Sequence, residues 1–258
     1  MIQPVPGRVV VVIPCYNAGA RLRAVLGALL STVVDVVVVD DGSTDGSAEI
    51  KDLICGPDTG HEEEDHPADV GNPPHVRTVR FAANRGKGHA LLAGIEFALN
   101  LSPAAVILMD ADGQHDPAHL PRLLAAVTED GADLVIGQRD FRFSQIPFAS
   151  WLGNRITSLL AWMFLGRWIP DTQCGYRALS PRFARAVLQQ VPGGRYETET
   201  AMLALAVLGD YRIEQIAIST RYEPGNRSSH FRKGIDSFRV LAGLIRSACR
   251  YRKTSGKV

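Results

Sequence analysis

The 258 residues include only four cysteines, Cys15, Cys55, Cys174 and Cys249, far apart and without paired metal-ligand spacing. That excludes a disulfide scaffold and a zinc ribbon, and it suits a reduced, cytosolic chain. Long apolar runs are missing as well, since none reaches the ~18 residues needed to span a bilayer. The nearest is ITSLLAWMFL at 156–165, between Arg155 and Arg167. It is too short to cross and suits a core helix or an interfacial one. Neither sign of charge dominates: the formal net charge is +1, so no global field argues for nucleic acid. No G-x-G-x-x-G follows the first apolar run, which disfavours a dinucleotide dehydrogenase. The N-terminus leads straight into a strand, so no signal peptide is expected.

What is present is an ordinary globular composition, 46% hydrophobic and 21% charged, arranged as β-α repeats. Strands are expected at Arg8–Ile13, Val36–Val39, Val76–Phe81, 105–109 and Leu134–Gly137, with helices between them at about 20–31, from Ser43 or Thr44 towards Leu53, from 89 to 99 and at 119–129. Five such repeats imply a mostly parallel sheet flanked by helices, an α/β fold in one domain of 1–258. Residues 56–75, rich in Gly, Pro and acid, read as a surface insertion. Beyond Arg139 the rhythm breaks. Phe141–Trp168 is apolar with interspersed arginines, 171–177 is a polar loop entering a short strand, and further helices are expected at 197–208 and about 235–251. The first half, 1–139, thus separates from a second half, 140–258.

Polar residues gather where the apolar runs end. Val106–Met109 stops at Asp110, Ala111 and Asp112, followed by Gln114 and His115. Two carboxylates leaving a strand end can converge on a hard cation such as Mg²⁺ that keeps positions open for a diphosphate. A polar turn capping the next helix through Asp116 is the plain alternative. An EF-hand does not fit, because Gly113 falls at the fourth place of the loop and not the sixth. Pro14-Cys15-Tyr16-Asn17 and Asp40-Asp41-Gly42-Ser43 close the first two strands, where an aromatic beside a carboxylate can stack a base and accept its ring N–H. Asn84-Arg85-Gly86-Lys87-Gly88-His89 opens a helix, and a helix N-terminus with a lysine is an anion site in principle.

Taken together, VVIPCYNAG, VVVDDGSTDGS, NRGKGHALLAG, ILMDADGQHDP, IGQR, GNRITS, DTQCGYRAL and ETETAM make the chain similar to family 2 glycosyltransferases. Within that family it most resembles the polyprenyl-phosphate (dolichol-phosphate) mannose or glucose synthases. The resemblance implies a GT-A fold and Mg²⁺ or Mn²⁺. It implies that Pro14, Tyr16 and Asn17 line the nucleoside pocket and that Asp40, or failing it Asp41, binds the base. Lys87 is then near the nucleotide, Asp110 and Ala111 at the ribose or metal, and Asp112 and Gln114 on the metal, with Asp110 a further ligand. Arg139, Arg155 and Ser158 would hold the acceptor phosphate. Arg221 and Arg227 would clamp the donor diphosphate, with Ser229 and His230 nearby. Glu199 is an expected site residue, because Glu197 and Glu199 lie two apart on a helix and do not share a face.

The implied reaction is inverting hexosyl transfer from a UDP- or GDP-sugar to a polyprenyl monophosphate at the cytoplasmic face of a membrane. Phe148, Trp151, Trp162, Phe164 and Trp168 are the expected interfacial surface, giving peripheral membrane contact and no nucleic-acid partner. The missing Gln-x-x-Arg-Trp motif argues against a processive polysaccharide synthase. Alternatives are a family 2 enzyme acting on a saccharide hydroxyl, which would need a base such as Asp171 or Glu199, a sugar nucleotidyltransferase, and a non-catalytic nucleotide-sugar binder.

Overall fold

A computed structural model describes residues 7–30, 32, 34–47, 75–139, 148–195, 197–220 and 235–255. Its strands are β1 (Val9–Cys15), β2 (Asp35–Asp40), β3 (Val76–Arg80), β4 (Ala105–Leu108), β5 (Leu134–Arg139), β6 (Arg177–Leu179) and β7 (Ile213–Ile218). Its helices are α1 (Gly19–Leu29), α2 (Lys87–Asn100), α3 (Leu120–Thr128), α4 (Phe148–Leu165), α5 (Pro181–Gln190), α6 (Glu197–Leu208) and α7 (Ile235–Ser255). The helix expected towards Leu53, the insertion up to residue 74, and the loop carrying Arg221, Arg227, Ser229 and His230 lie outside the described residues.

The strands form one sheet in the order β3-β2-β1-β4-β6-β5-β7. All neighbours are parallel except at β6, which runs antiparallel to both β4 and β5. Every residue of β1, β2 and β4 is buried, which is why their sequences are continuous β-branched or aliphatic runs and not alternating ones. α1 buries a stripe of Leu22, Val25, Leu26 and Leu29.

β1 runs on through Pro14, two residues past the expected stop. Met109 N–H donates to Val12 O, so the even-numbered residues of β1 turn their backbone groups towards β4. Pairing with β4 ends at Val12, so the N–H that Pro14 lacks has no acceptor to miss.

α5 is not among the expected helices, although its apolar residues recur at helical spacing. Ser180 caps it by accepting from Phe183 N at 3.1 Å, Pro181 opens its first turn, and Phe183, Ala184, Ala186 and Val187 face the core. α6 is buried along Thr198–Ala206, so it has no polar face to reveal its orientation.

Candidate active site

The carboxyl ends of β1, β2 and β4 meet the start of α2 at one edge of the sheet, where parallel α/β proteins bind ligands. The first two loops are tied together. Asn17, at φ 49°, donates its N–H to Ser43 Oγ at 2.9 Å and accepts from Thr44 N at 2.9 Å. Tyr16 stands beside it, 36% exposed.

Asp40 and Asp41 divide their work. Asp41 holds the amides of Arg85 and Gly86 at 2.6 and 2.9 Å, so both its oxygens fasten the loop before α2. Asp40 is fully buried and accepts from Ser43 N at 2.9 Å through Oδ1 alone. Arg80 Nε lies 3.3 Å from Oδ2, an ion pair without hydrogen-bond alignment. Next to it opens a pocket of about 510 Å³ lined by Gly42, Ser43, Thr44, Arg80, Phe81 and Ala82. Gly42 has φ +76°, and a Cβ there would sit 2.7 Å from the Ala83 carbonyl carbon, so only glycine lets these two loops meet.

The centre of the site is an ion-pair cluster. Lys87 Nζ lies 2.7 Å from Asp110 Oδ1 and 3.2 Å from Glu199 Oε1, joining α2, the end of β4 and α6. Burial works against a charge on Lys87, yet the two carboxylates overcome it and hold the ammonium well above the usual lysine range. Burial likewise opposes ionisation of Asp110, but Lys87 and His115 prevail and keep its carboxyl well below the usual range. His115 Nε2 is 3.7 Å from Asp110 Oδ2, and its ring rests on Tyr176 with centroids 5.1 Å apart. The helix-end anion site expected at Gly88 is filled from within the chain: Gly88 N–H donates to Gly194 O at 2.9 Å.

Asp112 behaves differently from its neighbour. Burial first, then the charge on Asp110, raise its carboxyl above the usual range. Its Oδ1 accepts Gln114 N at 2.9 Å, and no ion pair to it occurs among the described residues. Among those residues no three Asp, Glu, His or Cys side chains converge on one point. An oxygen set of one under-compensated carboxylate and the Gln114 amide suits Mg²⁺ or Mn²⁺, which commonly take one or two protein ligands and complete their shell with phosphate and water. Asp110, expected among the ligands, instead spends Oδ1 on Lys87.

On the second-half side, Arg139 grips the fully buried Asp171 with Nε at 2.7 Å and Nη2 at 2.9 Å, a two-pronged pair. Ser158 is wholly buried and donates to Pro170 O at 3.3 Å, tying α4 to the 170–173 loop. Arg155, three residues before it, is exposed and stacks over Trp151 at 5.5 Å. The expected trio of Arg139, Arg155 and Ser158 therefore does not share one environment in this conformation.

Two residues inside DTQCGYRAL carry more than the motif suggested. Arg177 is fully buried and donates to three carbonyls, Cys174 O at 2.9 Å, Thr172 O at 3.0 Å and Glu199 O at 2.7 Å, locking the loop to α6. A Cβ on Gly175 would come 2.4 Å from Asp110 Oδ2. That glycine lets the second half touch the acidic cluster.

This geometry meets its match among known proteins. Residues 10–188 fit the family described as glycosyl transferase family 2. The chain belongs to this family. It is similar to an undecaprenyl-phosphate mannosyltransferase of Micrococcus luteus, 34% identical over 70% of this chain and 69% of that one. A UDP-N-acetylglucosamine–dolichyl-phosphate N-acetylglucosaminyltransferase of Methanococcus voltae is 27% identical over 82% and 84% of the two chains. Among solved structures, glucosyl-3-phosphoglycerate synthase of Mycobacterium tuberculosis superposes with a TM-score of 0.65 at 22% identity, over 95% of this chain and 81% of that one, and shares the GT-A fold. This family 2 glycosyltransferase thus has the family and the GT-A fold that the resemblance implied.

Proposed function

We propose that this family 2 glycosyltransferase moves a hexosyl group from a nucleoside diphosphate sugar to a polyprenyl monophosphate, with inversion and with Mg²⁺ or Mn²⁺. The single observation that carries the reading is the state of its acceptor-side carboxylates. Both oxygens of Asp171 are taken up by Arg139 and Oε1 of Glu199 faces Lys87, so neither carboxylate stands free to receive a proton from a sugar hydroxyl. A sugar hydroxyl would need one of them. A phosphate monoester, with its second pKa near about 6, is already anionic at neutral pH and needs none. The polyprenyl-phosphate relatives in Micrococcus luteus and Methanococcus voltae point the same way.

In this mechanism Tyr16 and Asp40 hold the base, and Lys87 fixes Asp110 towards the ribose. Asp112 and Gln114 would hold the metal, which when bound would supply positive charge to the departing diphosphate. Arg139, oriented by Asp171, steers the acceptor phosphate oxygen in line with the anomeric carbon. That oxygen attacks as the bond to the diphosphate breaks.

The acceptor brings the enzyme to a membrane, at the cytoplasmic face where the water-soluble donor is supplied. No helix among the described residues is long and apolar enough to cross a bilayer. On α4, however, Leu152, Ile156, Leu159, Trp162 and Met163 recur at helical spacing and are exposed, as is Trp168 just beyond. Residues 141–170 hold three arginines and no acid, and 237–258 hold six basic residues and no acid, although the whole chain is near neutral. α7 packs on this helix through Arg252, which donates to Phe164 O at 2.8 Å. An apolar stripe framed by arginines suits an anionic lipid surface.

The test is incubation of UDP- and GDP-hexoses with polyprenyl phosphate and Mg²⁺ or Mn²⁺. The reading requires glycosylated lipid phosphate and released nucleoside diphosphate, with turnover down roughly 100-fold or more in Asp112→Asn. Release of pyrophosphate, or glycosylation of a sugar hydroxyl alone, would overturn it.

A further inference from the structure

The residues read as holding the metal sit on a short arc between two anchors. At the near end Asp110 Oδ1 is fixed by Lys87 Nζ at 2.7 Å. Asp112, Gly113 and Gln114 follow, with Gly113 at φ +78° and Asp112 Oδ1 accepting the Gln114 amide at 2.9 Å. At the far end His115 pairs with Thr220 in an isolated antiparallel bridge. β7 lies three strands from β4, roughly 14 Å across, so the chain leaving β4 crosses the end of the sheet to reach it. The arc therefore takes its outer support from a strand of the second half.

That support needs a fastening of its own. The ladder to β5 ends at Ile218, opposite Arg139, so Ser219 and Thr220 run past it. The paired side chains add no hydrogen bond across the bridge, since His115 Nδ1 and Thr220 Oγ1 are both buried without a partner. Among the described residues, the side chain that holds the overhang is His119, at the end of the short helical turn Pro117–His119. Its Nε2 accepts from Ser219 N at 3.0 Å, with Ser219 Oγ 2.9 Å from the same nitrogen. Because a backbone N–H only donates, Nε2 carries the lone pair and the ring proton sits on Nδ1. Arg122 also reaches β7, donating to Ala217 O at 3.2 Å, but that residue already lies inside the ladder. We propose that His119 is a positioning residue for the metal arc: by capturing Ser219 it holds Thr220 against His115 and so preorganises Asp112 and Gln114 for Mg²⁺ or Mn²⁺. It acts through the backbone and touches neither metal nor substrate. The inference rests on the reading that Asp112 and Gln114 are the metal's protein ligands, and it does not depend on the acceptor.

Calorimetric titration of the full chain with Mn²⁺, alone and with UDP or GDP present, tests it. Loss of one net hydrogen bond sets the expected fall in Mn²⁺ affinity for His119→Ala at roughly 3- to 10-fold. His119→Gln, whose side-chain oxygen can accept the same amide, should recover most of the loss. Arg122→Ala and Ser219→Ala should bind Mn²⁺ as the wild type does, because the ladder and the backbone donor remain. In turnover, His119→Ala should raise the apparent KM for Mn²⁺ while kcat returns at saturating metal. A Tm within a few degrees of wild type in all these variants separates positioning from misfolding, as expected where none of the three side chains is buried. Unchanged Mn²⁺ affinity in His119→Ala, no recovery in His119→Gln, or an equal loss in Arg122→Ala would overturn the inference. If Asp112→Asn abolishes Mn²⁺ binding while His119→Ala leaves it intact, the metal reading stands and this one falls; if the wild type binds no Mn²⁺, both fall. Weakened Mn²⁺ binding in His119→Ala without glycosylation of polyprenyl phosphate would sink the acceptor reading and leave this one standing.

Discussion

Lys87→Met is the most informative single change. The ammonium holds two carboxylates at 2.7 and 3.2 Å, and the three side chains are 21%, 25% and 7% exposed for Lys87, Asp110 and Glu199. Removing one partner of a fully buried pair costs ~3–5 kcal/mol. Partial exposure of Lys87 and Asp110 argues for the lower end, about 3 kcal/mol, and for a domain of this size that lowers Tm by roughly 6–12 °C. The pH dependence supplies the sharper check. In the wild type Asp110 is depressed below its ordinary value of 3.8, so its stabilisation is present above that pH and lost as pH falls from there towards the lower folded-state value. In the variant, burial acts on Asp110 without Lys87 to oppose it, so protonation relieves the site. The Tm gap should be widest near pH 7.5 and shrink by half or more towards pH 4.5. Differential scanning calorimetry in EDTA measures it. A gap under 2 °C, or one that does not change with pH, would refute the ion-pair reasoning.

Four other outcomes are expected. Gly175→Ala drives a methyl into Asp110, at a cost of ~1–3 kcal/mol of stability, and should cut turnover about tenfold or more; equal turnover at saturating Mn²⁺ would count against the contact. Burial pushes the thiols of Cys15 and Cys174 up to about 11 and about 12, so in a Cys55→Ser background iodoacetamide at pH 8 should label exposed Cys249 alone. Unfolded thiols ionise near pH 9 while these do not, so their contribution to stability should fall as pH rises from 9 towards 11, and a flat Tm across that range would contradict it. Replacing Leu159, Trp162 and Met163 with serine should abolish flotation with anionic liposomes while leaving Tm within a few degrees, since these side chains are exposed; undiminished flotation would remove α4 from the membrane surface.

Much of this was legible because buried parallel strands write themselves as apolar runs and announce their ends by turning polar. Tyr16, Asn17, Asp40, Asp110 and Asp112 stood at such ends, after β1, β2 and β4, which are neighbours in the sheet. The resemblance put Asp40 ahead of Asp41, but what separates them in the fold is which backbone amides arrive from residues 43, 85 and 86. The partnership of Lys87 with Glu199 spans 112 positions, beyond any local pattern. The short strand expected after the 171–177 loop is β6, but its antiparallel place between β4 and β5 left no local mark, and the buried charge of Arg177 is made tolerable by carbonyls that only the folded loop supplies. α5 left a readable signal in Ser180-Pro181, a cap and first-turn pair.

The reversed strand has a consequence for how the chain can be cut. β5 ends the first half at Arg139, yet its two ladder partners, β6 and β7, both come from the second. β4 likewise has β6 on its outer side. A fragment of 1–139 would leave β5 without a neighbour and β4 with a bare, wholly apolar margin of unpaired amides and carbonyls. Such a fragment should aggregate and bind no nucleotide. The donor side of this enzyme is therefore not a portable unit: it acquires its finished edge only when the acceptor side has been synthesised and threaded between its strands.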